Sequence, residues 1–283
     1  MSEQANPLSK YFRKPTIYVQ IPTGGRFNPE IPKTILDEIP VMPMTAIDEI
    51  SMQNPDALLN GEALMTVISS CVPSIPDPRN LCSIDADLLF LAIKYATYGK
   101  TVTHLHTCTK CEEQAEYNID INNVLEKFPE IQEVEPIKHG DLKIYITPPR
   151  IESMTRLALI DVEQQRILQS IQAVSEDDIT EMELAKQFAI SFRKVSKQNV
   201  DLLISSINRI ETPDETVSDE ESIMEFMNNI PATIVKEVND RVKLVTKKPE
   251  DLTTFEFTCD ACDHRDKIKF ELEIPIQASP QLL

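Results

Sequence analysis

The 283-residue chain has no tryptophan, only 5 glycines and only 4 histidines. So few glycines leave no Gly-rich loop of the kind that cradles phosphates. The only Gly pair, Gly24-Gly25, follows Ile17-Tyr18-Val19-Gln20-Ile21-Pro22 and precedes Arg26-Phe27. That pattern predicts a strand, a turn and another short extended piece. Three of the histidines, His104, His106 and His264, stand beside cysteine pairs. His139 is left alone in Ile137-Lys138-His139-Gly140, which reads as a solvated turn rather than the base of a nucleophilic triad. Glu220-Glu221 and Asp177-Asp178 read as charges at helix starts. No catalytic constellation emerges, so the expectation is a protein that is not an enzyme and takes no small-molecule substrate.

Basic residues are also short, 28 Lys and Arg against 46 Asp and Glu, for a net charge of -18. The excess is acidic in every quarter of the chain, and no basic stripe exists to neutralise phosphates, which argues against a nucleic-acid ligand. Such charge keeps an adhesive subunit soluble or complements a basic protein partner. No apolar run is long enough for a membrane span. The opening MSEQANPLSKYFRKP lacks the apolar run of a secretory signal, so a reducing compartment is expected.

Proline, by contrast, is plentiful at 20 residues and marks stiff connections. Helices are predicted from the Thr45 to Asp48 capping signal, from about Asn60 to Cys71, and from Ser83 or Asp85 to a stop at Gly99. In the last of these, Leu88, Leu89, Leu91, Ala92 and Tyr95 form one broad core-facing side. From Lys100 the pattern alternates: Val102, His104 and His106 face one way before Cys108, and Tyr117, Ile119 and Ile121 do so after it. Residues 122–149 read as acidic loop apart from a strand at Leu142–Ile146. Residues 150–248 read as mostly helical: Ile151 to about Val174, Glu181 to about Ile210, and Ser218 to about Leu244. A capping box opens the third helix and Pro231 breaks it. The apolar Ile39, Val41, Met42 and Met44 either form a contact surface or cover the core.

Four of the six cysteines carry the chemistry. Cys108-Thr109-Lys110-Cys111 and Cys259-Asp260-Ala261-Cys262 each sit between strand-patterned segments, and the segments match at an offset of 151 residues. Thr107 and Glu112 of the first correspond to Thr258 and Asp263 of the second, and the alternations of Tyr117, Ile119, Ile121 and Ile268, Phe270, Leu272 correspond too. A C-x-x-C turn converges two thiolates on one ion, and two facing turns complete a tetrahedral shell with no open position, which predicts one structural Zn2+ per chain. Three alternatives stay open at this level: redox dithiols, separate metal sites completed by His104, His106 or His264, and cysteines without metal. Cys71 and Cys82 are expected to be buried thiols.

The runs Pro43-Met44-Thr45-Ala46 with Asp48-Glu49, Asn54-Pro55-Asp56-Ala57-Leu58-Leu59-Asn60-Gly61-Glu62-Ala63, and Tyr98-Gly99 leading into the first cysteine turn resemble baseplate-hub proteins of T4-type contractile-tailed phages. Ile21-Pro22-Thr23-Gly24-Gly25-Arg26-Phe27-Asn28-Pro29 is similar to the same family. The likeness covers about residues 16–121 and the closing knuckle at 253–276. It implies a non-enzymatic component or assembly factor of the baseplate hub, in contact with other tail proteins, made in host cytoplasm and located in the virion. A transient hub-assembly chaperone, or a zinc-ribbon accessory subunit of an enzyme complex, are the rival readings. The expected fold class is α+β: two C-x-x-C hairpin knuckles form a zinc-ribbon-like module, residues 101–149 and 250–276. A mainly helical domain, 150–249, is inserted between them, with an N-terminal region 1–100 and a tail 277–283.

Overall fold

The computed structural model describes residues 6–162 apart from 29, 55–56, 59–60, 129, 132–133, 157 and 161, together with 197, 200–246 and 254–269. Helices and sheet are mixed, and three apolar clusters form the cores. The parts of the predicted helices that fall within 163–196, and the alternation at Phe270 and Leu272, lie outside the described residues.

The first core gathers around the N-terminal elements. Strand β1 (Ile17–Val19) pairs antiparallel with β2 (Ile39–Val41), Ile17 opposite Val41 and Val19 opposite Ile39. The short extended piece expected after the Gly pair is not extended: Arg26-Phe27 is turn, and β1 finds its partner in β2. Gly25 has φ +73°, a conformation that strains any L side chain, and a Cβ there would also push aside the Leu36 methyls, 2.5 Å away. The turn is fastened from within. Asp85 accepts the Thr23 N–H at 3.0 Å, the Thr23 hydroxyl at 2.5 Å and the Asn28 amide at 2.8 Å. Burial nevertheless pushes this carboxyl up, against the hydrogen bonds that favour its charge.

Helix α1 (Ala46–Met52) starts as the sequence predicts. Thr45 and Asp48 form a reciprocal capping box. Asp48 Oδ2 also accepts the Ser70 hydroxyl at 3.0 Å and Arg13 at 3.2 Å. Arg13 further donates to the Pro43 carbonyl and the Ser70 carbonyl, each at 2.7 Å, which ties the N-terminal arm to α1 and to the end of α2 (Glu62–Cys71). Gly61 caps α2 at φ +71°, where a Cβ would meet Thr155 Oγ1 at 2.5 Å. The Asn60-Gly61-Glu62 signal is therefore a close approach as well as a cap.

Helix α3 (Ser83–Tyr98) stops at Gly99, φ +91°. The helix is core, as its pattern predicts, and burial goes further than one face: every residue from Ser83 to Ile93 is buried, while the last turn reaches the surface at Tyr98. Leu89, Phe90 and Ile93 fill the first core, while Leu91 and Tyr95 reach the third. Ile39 and Val41 are completely buried in the first core, which settles them as core cover rather than contact surface.

The second core lies under a four-stranded sheet in the order β5 (Ile137–His139), β6 (Leu142–Ile146), β7 (Ile207–Glu211), β8 (Thr216–Val217), all antiparallel. Helices α5 (Glu220–Asn229) and α6 (Ala232–Thr246) cover it through Ile223, Met227, Ile234, Val238 and Val242. Three expectations change here. Residues 207–211 are strand, not the end of a helix. Residues 137–139 are strand, not loop, and His139 is exposed on it. The cap of α5 is Asp219, accepting the Ser222 N–H at 2.8 Å, rather than Ser218. Pro231 does divide α5 from α6. A short helix α4 (Ile121–Glu126), capped by Asp120, also lies where loop was expected. Because β6 pairs with β7, this sheet spans the expected boundary at 149/150.

The Asp48 knot generates the first prediction. Burial acts to raise its carboxyl, but the bonds from Thr45 and Ser70 and the Arg13 charge together hold it below its ordinary value. Asp48→Ala should therefore cost about 2 kcal/mol in urea unfolding at neutral pH. The lowered folded value means that the contribution is present above about pH 4 and is lost as pH falls through that value. The gap between wild type and variant should narrow correspondingly in acid.

Candidate metal centre

The third core is built by two hairpins of the same design. Strands β3 (Thr101–Thr107) and β4 (Gln114–Asp120) form the first, and β9 (Thr254–Thr258) and β10 (Arg265–Lys269) the second. Alternation puts Val102, Tyr117 and Ile119 of one against Phe255, Phe257 and Ile268 of the other, over Leu91 and Tyr95 of α3. The Phe257 ring stands 4.1 Å from Tyr117 and 4.7 Å, edge-on, from His106, centroid to centroid. Aromatic pairs in these geometries add to the burial energy and fix the facing of the hairpins.

At the tips the two turns are replicas. Cys108 N–H donates to the Glu113 carbonyl at 2.9 Å, as Cys259 N–H does to His264 at 2.9 Å. Glu112 N–H closes onto the Cys108 carbonyl at 3.0 Å, as Asp263 N–H does onto Cys259 at 2.9 Å. The same position in each turn is left-handed, Glu112 at φ 60° and Asp263 at φ 54°. Neither is glycine, so each turn carries a conformation that L side chains seldom adopt, held by its closing hydrogen bonds.

The repeat at an offset of 151 residues thus folds into one cluster. All four sulfurs of Cys108, Cys111, Cys259 and Cys262 lie within 4.8 Å of one another. Two close pairs cross between hairpins, Cys108 to Cys262 at 3.8 Å and Cys111 to Cys259 at 3.7 Å. Sulfurs bonded in a disulfide stand about 2.05 Å apart. Tetrahedral coordination with metal–sulfur bonds of about 2.3 Å separates sulfurs by about 3.8 Å, so the cluster has the dimensions of a metal site. An all-sulfur tetrahedral donor set suits zinc or an iron–sulfur centre.

Electrostatics follow the same geometry. Backbone hydrogen bonds from Cys111 and Lys110 lower the Cys108 thiol to about 6. A backbone bond at Glu113 favours the Cys111 thiolate too, but the neighbouring sulfurs of Cys262, Cys108 and Cys259, with burial, outweigh it and push Cys111 up to about 12. Four thiols this close cannot all ionise unaided, and a divalent cation relieves the repulsion while displacing their protons.

Among the described residues, these four cysteines are the group placed so that it could hold a metal ion. It does not take in His104, His106 or His264; His106 Nε2 instead faces Asp266 at 3.4 Å. Cys71 and Cys82 are buried as expected, and burial raises both thiols, Cys71 to about 11. What the sequence did not reveal is Asp266. Its Oδ2 accepts the Thr109 N–H at 2.9 Å and the Thr109 hydroxyl at 2.7 Å, latching the second hairpin onto the first turn. Those bonds hold the carboxyl well below the usual carboxylate range. Alternation places Asp266 in phase with Ile268, on the face toward the first hairpin, but nothing in it named Thr109 as partner.

The family model described as T4 bacteriophage base plate protein matches residues 14–273, from the arm before β1 through both cysteine hairpins. The chain belongs to that family. No curated protein and no solved structure matches it. Members are phage baseplate proteins, with a structural or assembly role and contacts to other tail proteins. Among the described residues of this baseplate protein, no helix is long and apolar enough to cross a membrane.

Asp266→Ala removes the latch without touching a sulfur. It should weaken metal retention by about 10- to 100-fold in a chelator competition, as loss of a partner that orients ligands does. Lys267→Ala, next along β10 and pointing to solvent, should leave retention unchanged.

Proposed function

We propose that this chain is a component or assembly factor of the baseplate's central hub, working by protein–protein contacts, with one structural zinc bound by Cys108, Cys111, Cys259 and Cys262. The observation that carries the reading is the family match through both cysteine hairpins. Four cysteine ligands close the coordination shell, which suits a staple rather than a reaction centre. The knuckles form a split module joined by the metal, and the intervening segment, with its sheet β5 to β8 and helices α5 and α6, is inserted between them. The protein is made in host cytoplasm and resides in the tail baseplate.

Elemental mass spectrometry on protein purified without added zinc should find one zinc per chain, with four thiols masked in native titration. Cys259→Ser should lose the metal and melt earlier. A variant that keeps stoichiometric zinc and melts normally would remove the shared site.

Residence in the particle is a separate measurement. Mass spectrometry of purified virions should recover the chain at a fixed copy number. Its absence from virions that nevertheless require its gene would make it a transient assembly factor instead.

A further inference from the structure

Ten large apolar side chains are exposed among the described residues, and six of them belong to one neighbourhood. Tyr11 and Phe12, 74% and 59% exposed, lie with Leu8 on the N-terminal arm; Ile47 and Ile50, 74% and 66% exposed, lie one turn apart on α1; Tyr98 ends α3. Arg13 binds the arm to the start of α1 through Pro43 and Asp48. Met44 N–H donates to Thr97 Oγ1 at 2.9 Å, joining the approach to α1 to the last turn of α3. Glu49 of α1 stands beside the Tyr98 phenol, which partial burial and that carboxylate push up. Exposed apolar side chains scattered singly are ordinary, whereas a gathered set rich in aromatics marks a contact surface.

Charge supplies a second observation. Between Glu3 and Glu30 the sequence has four basic residues and no acid, in a chain of net charge -18. Arg13 and Arg26 are committed to internal carbonyls, which leaves Lys10 and Lys14 outward beside Tyr11 and Phe12. The arm side of this apolar surface therefore carries a local charge opposite to that of the rest of the molecule, while Glu49 stands on its α1 side.

We propose that the arm and α1 together form a docking surface for a second tail protein, one that offers an apolar pocket rimmed by carboxylates. The proposal rests on the baseplate reading above and adds to it a surface and a partner chemistry. A second copy of the chain docked through this same surface is a poorer occupant, because such a symmetric contact would set Lys10 and Lys14 against themselves. An anionic membrane is poorer too, since electrostatic lipid binding takes a cluster of about four to eight basic residues and two lysines are outward here.

The test places photoreactive benzoylphenylalanine at Tyr11, at Ile50 and, as a control, at the exposed Leu244 of the full chain in phage-infected cells. Tyr11 and Ile50 should cross-link to the same tail protein, through a segment with both acidic and apolar residues, and Leu244 should not. That protein, purified, should bind the chain about tenfold or more weakly when Phe12→Ser or Ile50→Ser is introduced, with melting unchanged. Lys10→Glu with Lys14→Glu should slow association and flatten its salt dependence. Cross-links to a second copy, to lipid or equally from Leu244, or unchanged binding of both serine variants, would overturn the surface. Complementation of a gene deletion separates the two readings. If deletion leaves baseplates intact, the baseplate role fails; if deletion abolishes them and Phe12→Ser with Ile50→Ser restores them fully, the docking surface alone fails.

Discussion

Four sulfurs from two turns, separated by 147 residues of chain, must meet within a few ångströms, and the rest of the molecule is arranged around that closure. Closing so long a loop costs about 5 kcal/mol of chain entropy on the scale that applies to cross-links. A structural zinc contributes about 10–16 kcal/mol in small zinc domains, so the proposed metal is more than sufficient to offset the closure. Without the metal, the hairpins still share an apolar face and the Asp266 latch, which bring the thiols near one another but leave their mutual repulsion unrelieved. Facing of the hairpins and coordination of the ion are thus separable contributions to one join.

The wall against which that join forms is α3. From Ser83 to Ile93 this helix is buried on every side, and it serves two cores at once, the N-terminal one through Leu89 and Ile93 and the hairpin pair through Leu91 and Tyr95. The chain passes directly from α3 through Gly99 into β3, so the orientation of the first hairpin is set by the helix end. The return from β6 also lands on α3: Ser83 N–H donates to the Pro149 carbonyl at 2.8 Å, and Ile151 N–H donates to Leu81 at 2.9 Å. Movement of α3 would consequently be felt in the N-terminal core, the cysteine cluster and the sheet together.

Much of this was legible where local chemistry decides structure. The capping box at Thr45, the stop at Gly99, the break at Pro231 and the repeated C-x-x-C turns all hold because each depends on residues within a few positions of one another. Features decided by distant partners were not legible. Ile204, Ile207 and Ile210 recur at helical spacing, yet residues 207–211 become strand because β6 supplies an edge for Ile144 to pair with Ile210. Ile39 and Val41 could have faced a partner protein, but pairing with β1 turns them into the first core. The four-cysteine cluster was readable for the opposite reason: a repeat announces a long-range contact that composition alone would hide. Its geometry supports the coordination number expected from the spacing.

The two hairpins are not interchangeable, and the difference explains how the pair acquires a fixed register. At the 151-residue offset, Asp266 corresponds to Ala115 and Thr109 to Asp260. A carboxylate at 115, placed symmetrically to Asp266, would be set against the carboxylate of Asp260, and like charges on facing turns repel. Alanine avoids that opposition on one side, while threonine on the other offers both a backbone N–H and a hydroxyl to Asp266. The latch can therefore form in only one sense. An otherwise near-symmetric pair of turns docks with the second hairpin holding the first, and the four thiols arrive in a single arrangement rather than in two competing ones.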